Sequence, residues 1–166
     1  MSELKFKGNS IHTSGAMPQI GEIAPNFELV KSDLSRVKLS DYAGKNVILN
    51  IFPSIDTGVC ATSVRKFNQD AANLPNTRIV CISKDLPFAH SRFCSAEGIS
   101  NLDMLSSFDN DDFEPNYKLT MVDGPLKGLF ARSIVVVNPD GEVVHTELVD
   151  DIVHEPNYEA AMRSVK

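Results

Sequence analysis

The stretch richest in chemistry is Pro53-Ser54-Ile55-Asp56-Thr57-Gly58-Val59-Cys60. Residues 46–52 ahead of it are a nearly unbroken apolar run that Pro53 ends, which predicts a strand emerging from a core. From Gly58 onward, Val59, Val64 and Phe67 recur at helical spacing, with Arg65, Lys66 and Gln69 between them and Thr57 placed to cap the start. Cys60 therefore falls near the third position of a helix. Unpaired backbone N–H groups and the positive helix end favour thiolate there, and thiolate is the nucleophilic form of cysteine. The same position also suits a cysteine that is merely a small buried hydrophobe.

Four other groups matter. Cys94 lies in a helical pattern that opens with Asp85 as N-cap and Pro87 in the first turn and is stopped by Gly98. It reads either as a second reactive thiol or as an inert helix cysteine. Arg132 interrupts the apolar stretch 129–137, either as a working cation or as a surface arginine beside an acid. Cys81, between Val80 and Ile82, reads as buried and structural. His90 and Cys94 stand four apart on one predicted helix, yet no third or fourth ligand follows at matching spacing, so a metal site is not expected. His12, His145 and His154 read as ordinary surface or strand residues.

The elements that must position these groups follow from pattern. Residues 3–13 alternate around Gly8-Asn9 and predict an N-terminal hairpin. Short strands at 27–30 and 37–39 lead through a helical turn at 40–44 into the strand at 46–52. A β-branched run at 77–83 predicts a second, parallel strand after the helix of Cys60. A short strand at 102–105 and a weakly helical acidic segment at 109–117 come next, then a loop at 123–128. Strands at 129–137 and 142–148 flank the turn Asn138-Pro139-Asp140-Gly141, and a last helix spans 157–165.

At 166 residues the chain suits one domain, 1–166, and is long enough to bury roughly 70% of its unfolded surface. A formal net charge of −6 with no basic block argues against nucleic acid, and no apolar run approaches the ~20 residues that span a bilayer. The first seven residues lack the apolar core of a secretory signal, so a cytoplasmic location is expected. Three cysteines, with no Cys-x-x-Cys pair, argue against a disulfide framework or a zinc ribbon. The element order is that of an α/β thioredoxin-like domain, a central mixed sheet flanked by helices with an N-terminal β-hairpin extension.

Pro53-x-x-x-Thr57-x-x-Cys60 resembles the active-site pattern of the peroxiredoxins. Residues 50–52 and 64–68 around it, Asp85-Leu86-Pro87-Phe88 with Ser91-Arg92-Phe93-Cys94, and Asp123-Gly124-Pro125-Leu126-Lys127-Gly128 are similar to the bacterial thiol peroxidase subfamily, with two working cysteines in one chain. The resemblance covers essentially the whole chain. It implies that Cys60 is the peroxidatic cysteine and Cys94 the resolving one, closing a Cys60–Cys94 disulfide. It further implies that Thr57 hydrogen-bonds thiolate and peroxide, that Pro53 shields the site from water, and that Arg132 faces the thiolate and the departing oxygen. Hydroperoxides as substrates, thioredoxin as reductant, no cofactor and a homodimer are implied in the same way.

A magnitude shows why the arginine matters to such a reaction. Lowering a thiol pKa from ~8.5 to ~6 raises its thiolate fraction at pH 7 about thirtyfold, while a Brønsted slope near ~0.45 lowers its nucleophilicity about tenfold. Donors aimed at the leaving oxygen must supply most of the acceleration. The rival reading is a thiol–disulfide exchanger or peroxide sensor that relays oxidation to a partner protein. A disulfide needs Cα atoms within about 7 Å, and the two cysteines are expected to start farther apart, so partial unwinding near both is expected to precede resolution.

Overall fold

The computed structural model describes residues 1–110 and 112–165. Strands β1 (Glu3–Phe6) and β2 (Asn9–His12) form a separate hairpin. The main sheet holds β3 (Glu28–Lys31), β4 (Arg36–Lys38), β5 (Asn46–Ile51), β6 (Thr77–Ser83), β7 (Asp103–Ser106), β8 (Ser133–Val137) and β9 (Val143–Leu148). Their spatial order is β4-β3-β7-β6-β5-β8-β9. The pairs β5–β6 and β6–β7 are parallel and the others antiparallel, the mixed sheet expected.

All six residues of β5 are buried, and period-two alternation sorts the central strands between two layers. Val47, Leu49, Ile51, Val80, Ile82, Val135 and Val137 face Phe113 and Tyr117 of α3 (Phe113–Tyr117), together with Phe27, Phe130 and the 3₁₀ turn Leu39–Tyr42. Ile48, Ile79, Cys81, Ile134 and Val136 face the other way, toward α1 (Gly58–Ala71), α2 (Pro87–Glu97) and α4 (Tyr158–Arg163). A third apolar cluster of Leu4, Ile11, Met121, Ala131 and Ile152 seats the N-terminal hairpin on the loops that lead into and out of the β8–β9 pair. No helix among the described residues is long and apolar enough to cross a membrane.

Several boundaries differ from the sequence reading. The strand expected at 129–137 begins only at Ser133, because residues 129–131 leave the sheet to bond with 119 and 121: Met121 N–H donates to the Leu129 carbonyl and Ala131 N–H to that of Leu119. The N-cap of α2 is Leu86 and not Asp85, whose carboxylate is engaged elsewhere. Gly98 does stop α2, in the left-handed conformation, with its N–H on the Cys94 carbonyl. The short helix expected at 109–117 is confined to α3, and Asp111 of that segment lies outside the described residues. Asn157 caps α4, its side chain accepting from Ala160 N–H at 3.0 Å.

Candidate active site

β5 delivers the chain through the buried Pro53 into a turn that ends at the start of α1, so Cys60 is the third residue of that helix. Thr57 has the extended backbone of an N-cap, but its hydroxyl makes no capping bond and donates to the Ser54 carbonyl at 3.0 Å. The first helical bond runs from Ala61 N–H to the Thr57 carbonyl at 3.0 Å, and the N–H groups before it, that of Cys60 included, have no intrahelical acceptor. The Cys60 side chain is fully buried among Phe52, Ile55, Val64 and Phe93.

A cavity of about 290 Å³ opens beside this turn, lined by Pro53, Thr57, Gly58 and Val59. Arg132, Leu126, Ile152, Val153, Phe6 and Lys7 complete it. It brings together three of the five residues singled out in the sequence, Pro53, Thr57 and Arg132. Cys60 follows directly on the wall residue Val59, and Cys94 is not part of the lining.

Arg132 is no surface arginine. Its side chain is 1% exposed, its Nε donates to the Ile152 carbonyl at 2.9 Å, and its Nη1 is buried with no hydrogen-bond partner among the described residues. A desolvated guanidinium with a free donor costs stability, and such a group is retained where something else is to be bound. The N-terminal hairpin holds it in place at one remove. Lys5 N–H donates to the Asp150 carbonyl, Ile152 N–H to that of Lys5, and the Lys7 and Gly8 N–H groups reach the Asp151 carboxylate at 3.1 and 2.9 Å. The loop carrying Leu126 is tied to β2 by Asp123, which accepts from His12 N–H at 2.7 Å. Gly124, at φ +76°, sits so close to Ile11 that an added Cβ would meet its Cγ2 at 2.7 Å.

Sequence reasoning missed the group that shapes the turn. The Asp85 carboxylate accepts from Ile55 N–H at 2.7 Å, from the Ser54 hydroxyl at 2.9 Å and from the Ser83 hydroxyl at 2.6 Å. Asp85 is 30 residues from Ile55 in sequence, so no local pattern signals the contact. It missed the hairpin's Phe6 and Lys7 at the cavity for the same reason.

The cysteines differ sharply in surroundings, and all three are free thiols. Cys94 is half-buried in the last turn of α2 and packs against the apolar cluster that holds Cys60; burial moves its thiol above the ordinary range. Cys81 is fully buried beneath the same helices and burial pushes its thiol up to about 12, in keeping with the structural reading. His90 is fully buried as well, with Nε2 at 2.9 Å from the Ser83 hydroxyl. His12 pairs with Asp123 and His154 with Asp150, both toward the surface.

Residues 19–162 match the redoxin family model. Over 165 residues the chain is 52% identical to a thiol peroxidase of Corynebacterium glutamicum, covering 99% of both chains. A peroxiredoxin-like protein from Aquifex aeolicus superposes with a TM-score of 0.92 at 31% identity, over 98% of this chain and 95% of that one. A thiol peroxidase from Chromobacterium violaceum shares the fold with a TM-score of 0.89 at 18% identity, over 97% of this chain and 93% of that one. A buried thiol at a helix entrance, a desolvated arginine across a cavity and these similarities agree: the chain belongs to the redoxin family, among its thiol peroxidases of the peroxiredoxin type.

Proposed function

We propose that the chain, acting as one thioredoxin-like domain over residues 1–166, reduces hydrogen peroxide and alkyl hydroperoxides to water and alcohols, with Cys60 as peroxidatic and Cys94 as resolving cysteine. The observation that carries this reading is the cavity that sets the buried Arg132, whose Nη1 has no hydrogen-bond partner among the described residues, across from the helix entrance of Cys60. The Cys60 thiolate attacks the terminal peroxide oxygen and becomes a sulfenic acid as the O–O bond breaks, and the departing hydroxide or alkoxide takes a proton from solvent to leave as water or alcohol. Arg132 and the free N–H groups at the start of α1 meet the negative charge that builds on the departing oxygen. Thr57 spends its one proton on the Ser54 carbonyl, so its oxygen is free to accept from the peroxide O–H and orient it. Pro53, buried at the turn, limits water around the sulfur.

Cys60 sulfenic acid then condenses with the Cys94 thiol, losing water and forming the disulfide. Cys94 stands in the last turn of α2, where residues 95–98 are exposed and the helix end is tied to α1 mainly by the solvent-exposed Arg65–Glu97 pair at 2.8 Å, which supports partial unwinding before the two sulfurs meet. A thioredoxin dithiol returns both cysteines to thiols and leaves as its own disulfide. The apolar wall of Phe6, Leu126, Ile152 and Val153 suits an alkyl tail. A cytoplasmic homodimer completes the reading.

Mass-spectrometric disulfide mapping after one equivalent of peroxide tests it, alongside peroxide consumption driven by thioredoxin. The expected result is a Cys60–Cys94 linkage within one chain and turnover abolished by Cys60→Ser. Oxidation that leaves these two residues unlinked would overturn the cycle.

A further inference from the structure

The Asp85 carboxylate accepts three hydrogen bonds that converge from two parts of the molecule. Two come from the turn ahead of Cys60, the Ile55 N–H and the Ser54 hydroxyl. The third comes from Ser83, whose hydroxyl has one proton to give. A carboxylate only accepts, so that proton points at Asp85 and the Ser83 oxygen must accept from His90 Nε2, 2.9 Å away. His90 is in turn one of the three buried residues of α2, with Pro87 and Phe93, by which the Cys94 helix is held to the body. A continuous chain of bonds thus runs from Ile55, through Asp85 and Ser83, to His90.

The same turn carries Ser54, whose carbonyl receives both the Thr57 N–H at 3.2 Å and the Thr57 hydroxyl at 3.0 Å. Asp85 therefore acts on Thr57 through Ser54 without touching the cavity. We propose that Asp85 is a positioning residue for peroxide reduction, a clasp that holds the 53–57 turn in its peroxide-receiving shape and ties release of that turn to release of the helix bearing Cys94. While the clasp is closed, the site is shaped for peroxide and Cys94 is held. Opening it frees both ends of the future disulfide in one event, since the 53–57 turn loses its carboxylate acceptor and His90 loses the Ser83 partner of its Nε2. The inference rests on the two-cysteine cycle proposed above.

Asp85→Asn is close in size but presents an acceptor on only one side of its amide, so three donors can no longer be satisfied together. Hydrogen bonds to a charged group are strong enough that their loss is expected to change each rate by about tenfold. Stopped-flow measurement separates the two steps, oxidation of Cys60 by peroxide and subsequent disulfide closure. In Asp85→Asn the first slows by about tenfold and the second quickens by about tenfold, whereas a purely structural role would lower both together. Ser54→Ala, which removes one of the three bonds and leaves the charge, shifts both rates in the same directions by less. If both variants leave the two rates unchanged, or slow them in step, while the unsubstituted protein oxidises Cys60 and closes the disulfide, the clasp is overturned. Absence of any peroxide-dependent step in the unsubstituted protein would instead overturn the peroxidase cycle on which it rests.

Discussion

Acidification from pH 7 to pH 5 will loosen the hold of α2 on the rest of the molecule, and His90 is the reason. Burial holds the imidazole down at about 4 against an ordinary 6.5, while the Asp85 carboxylate, 3.9 Å from Nε2, pulls weakly the other way. A group whose folded value is depressed contributes stability above its unfolded value and loses it as pH falls toward the folded one. For His90 that window runs from about 6.5 down to about 4. Any opening that exposes the ring gains a proton there that the closed form refuses. Worked from those two values, the opening equilibrium shifts by roughly 20-fold between pH 7 and pH 5, about 2 kcal/mol. Amide hydrogen exchange across residues 87–98 of the reduced protein reads this directly, once corrected for the intrinsic rate at each pH. His90→Gln keeps a donor for Ser83 but cannot titrate, so the unsubstituted protein should lose about 20-fold more protection than the variant. Equal loss of protection in both would refute the linkage and show that His90 is either not uncovered or not depressed.

Further predictions concern the other buried polar groups. Arg132→Met should slow peroxide consumption by about 10²- to 10³-fold, while calorimetry finds the melting temperature little changed, because loss of the Nε bond to the Ile152 carbonyl is offset by removal of a desolvated cation whose Nη1 has no partner among the described residues; a large fall in melting temperature together with retained activity would contradict the assignment. Cys81, its thiol pushed up to about 12, should stay unlabelled by iodoacetamide in the folded protein and label readily on denaturation, and Cys81→Ala should turn over peroxide at the unsubstituted rate. Arg92 and Asp56 also link α2 to the Cys60 turn, at 2.9 Å, but both are well exposed, so Arg92→Ala should leave the hydrogen exchange of α2 unaltered. Protection lost in that variant would mean that the outer pair, and not the buried chain of bonds, holds the helix.

The hazards of reading a site without its fold show in two residues. Asp85 next to Leu86-Pro87 has the composition of a helix start, and local pattern makes it a cap. The folded chain instead assigns the N-cap to Leu86 and turns the carboxylate toward Ile55, whose N–H it accepts at 2.7 Å, since a buried N–H left unsatisfied is costly. Arg132 in an apolar stretch reads from sequence either as a working cation or as a surface arginine beside an acid. In the structure it meets the Ile152 carbonyl and an open cavity, at a position where the strand has not yet begun.

The amino-acid order by itself determined the parallel core strands at 46–51 and 77–83, the helix entrance at Cys60 and the glycine stop after Cys94. Each is encoded by the spacing of neighbours: apolar alternation selects a layer, helical recurrence selects a face, and one residue of left-handed backbone ends a helix. Tertiary structure alone decided what those elements face. Lys7 meets Asp151 across 144 positions and Ile55 meets Asp85 across 30, closing the cavity and shaping the turn. Periodicity tells which side of an element is buried but carries no record of the partner. A buried hydrogen bond is specified only when packing has removed every alternative acceptor, and that happens after the layers have come together.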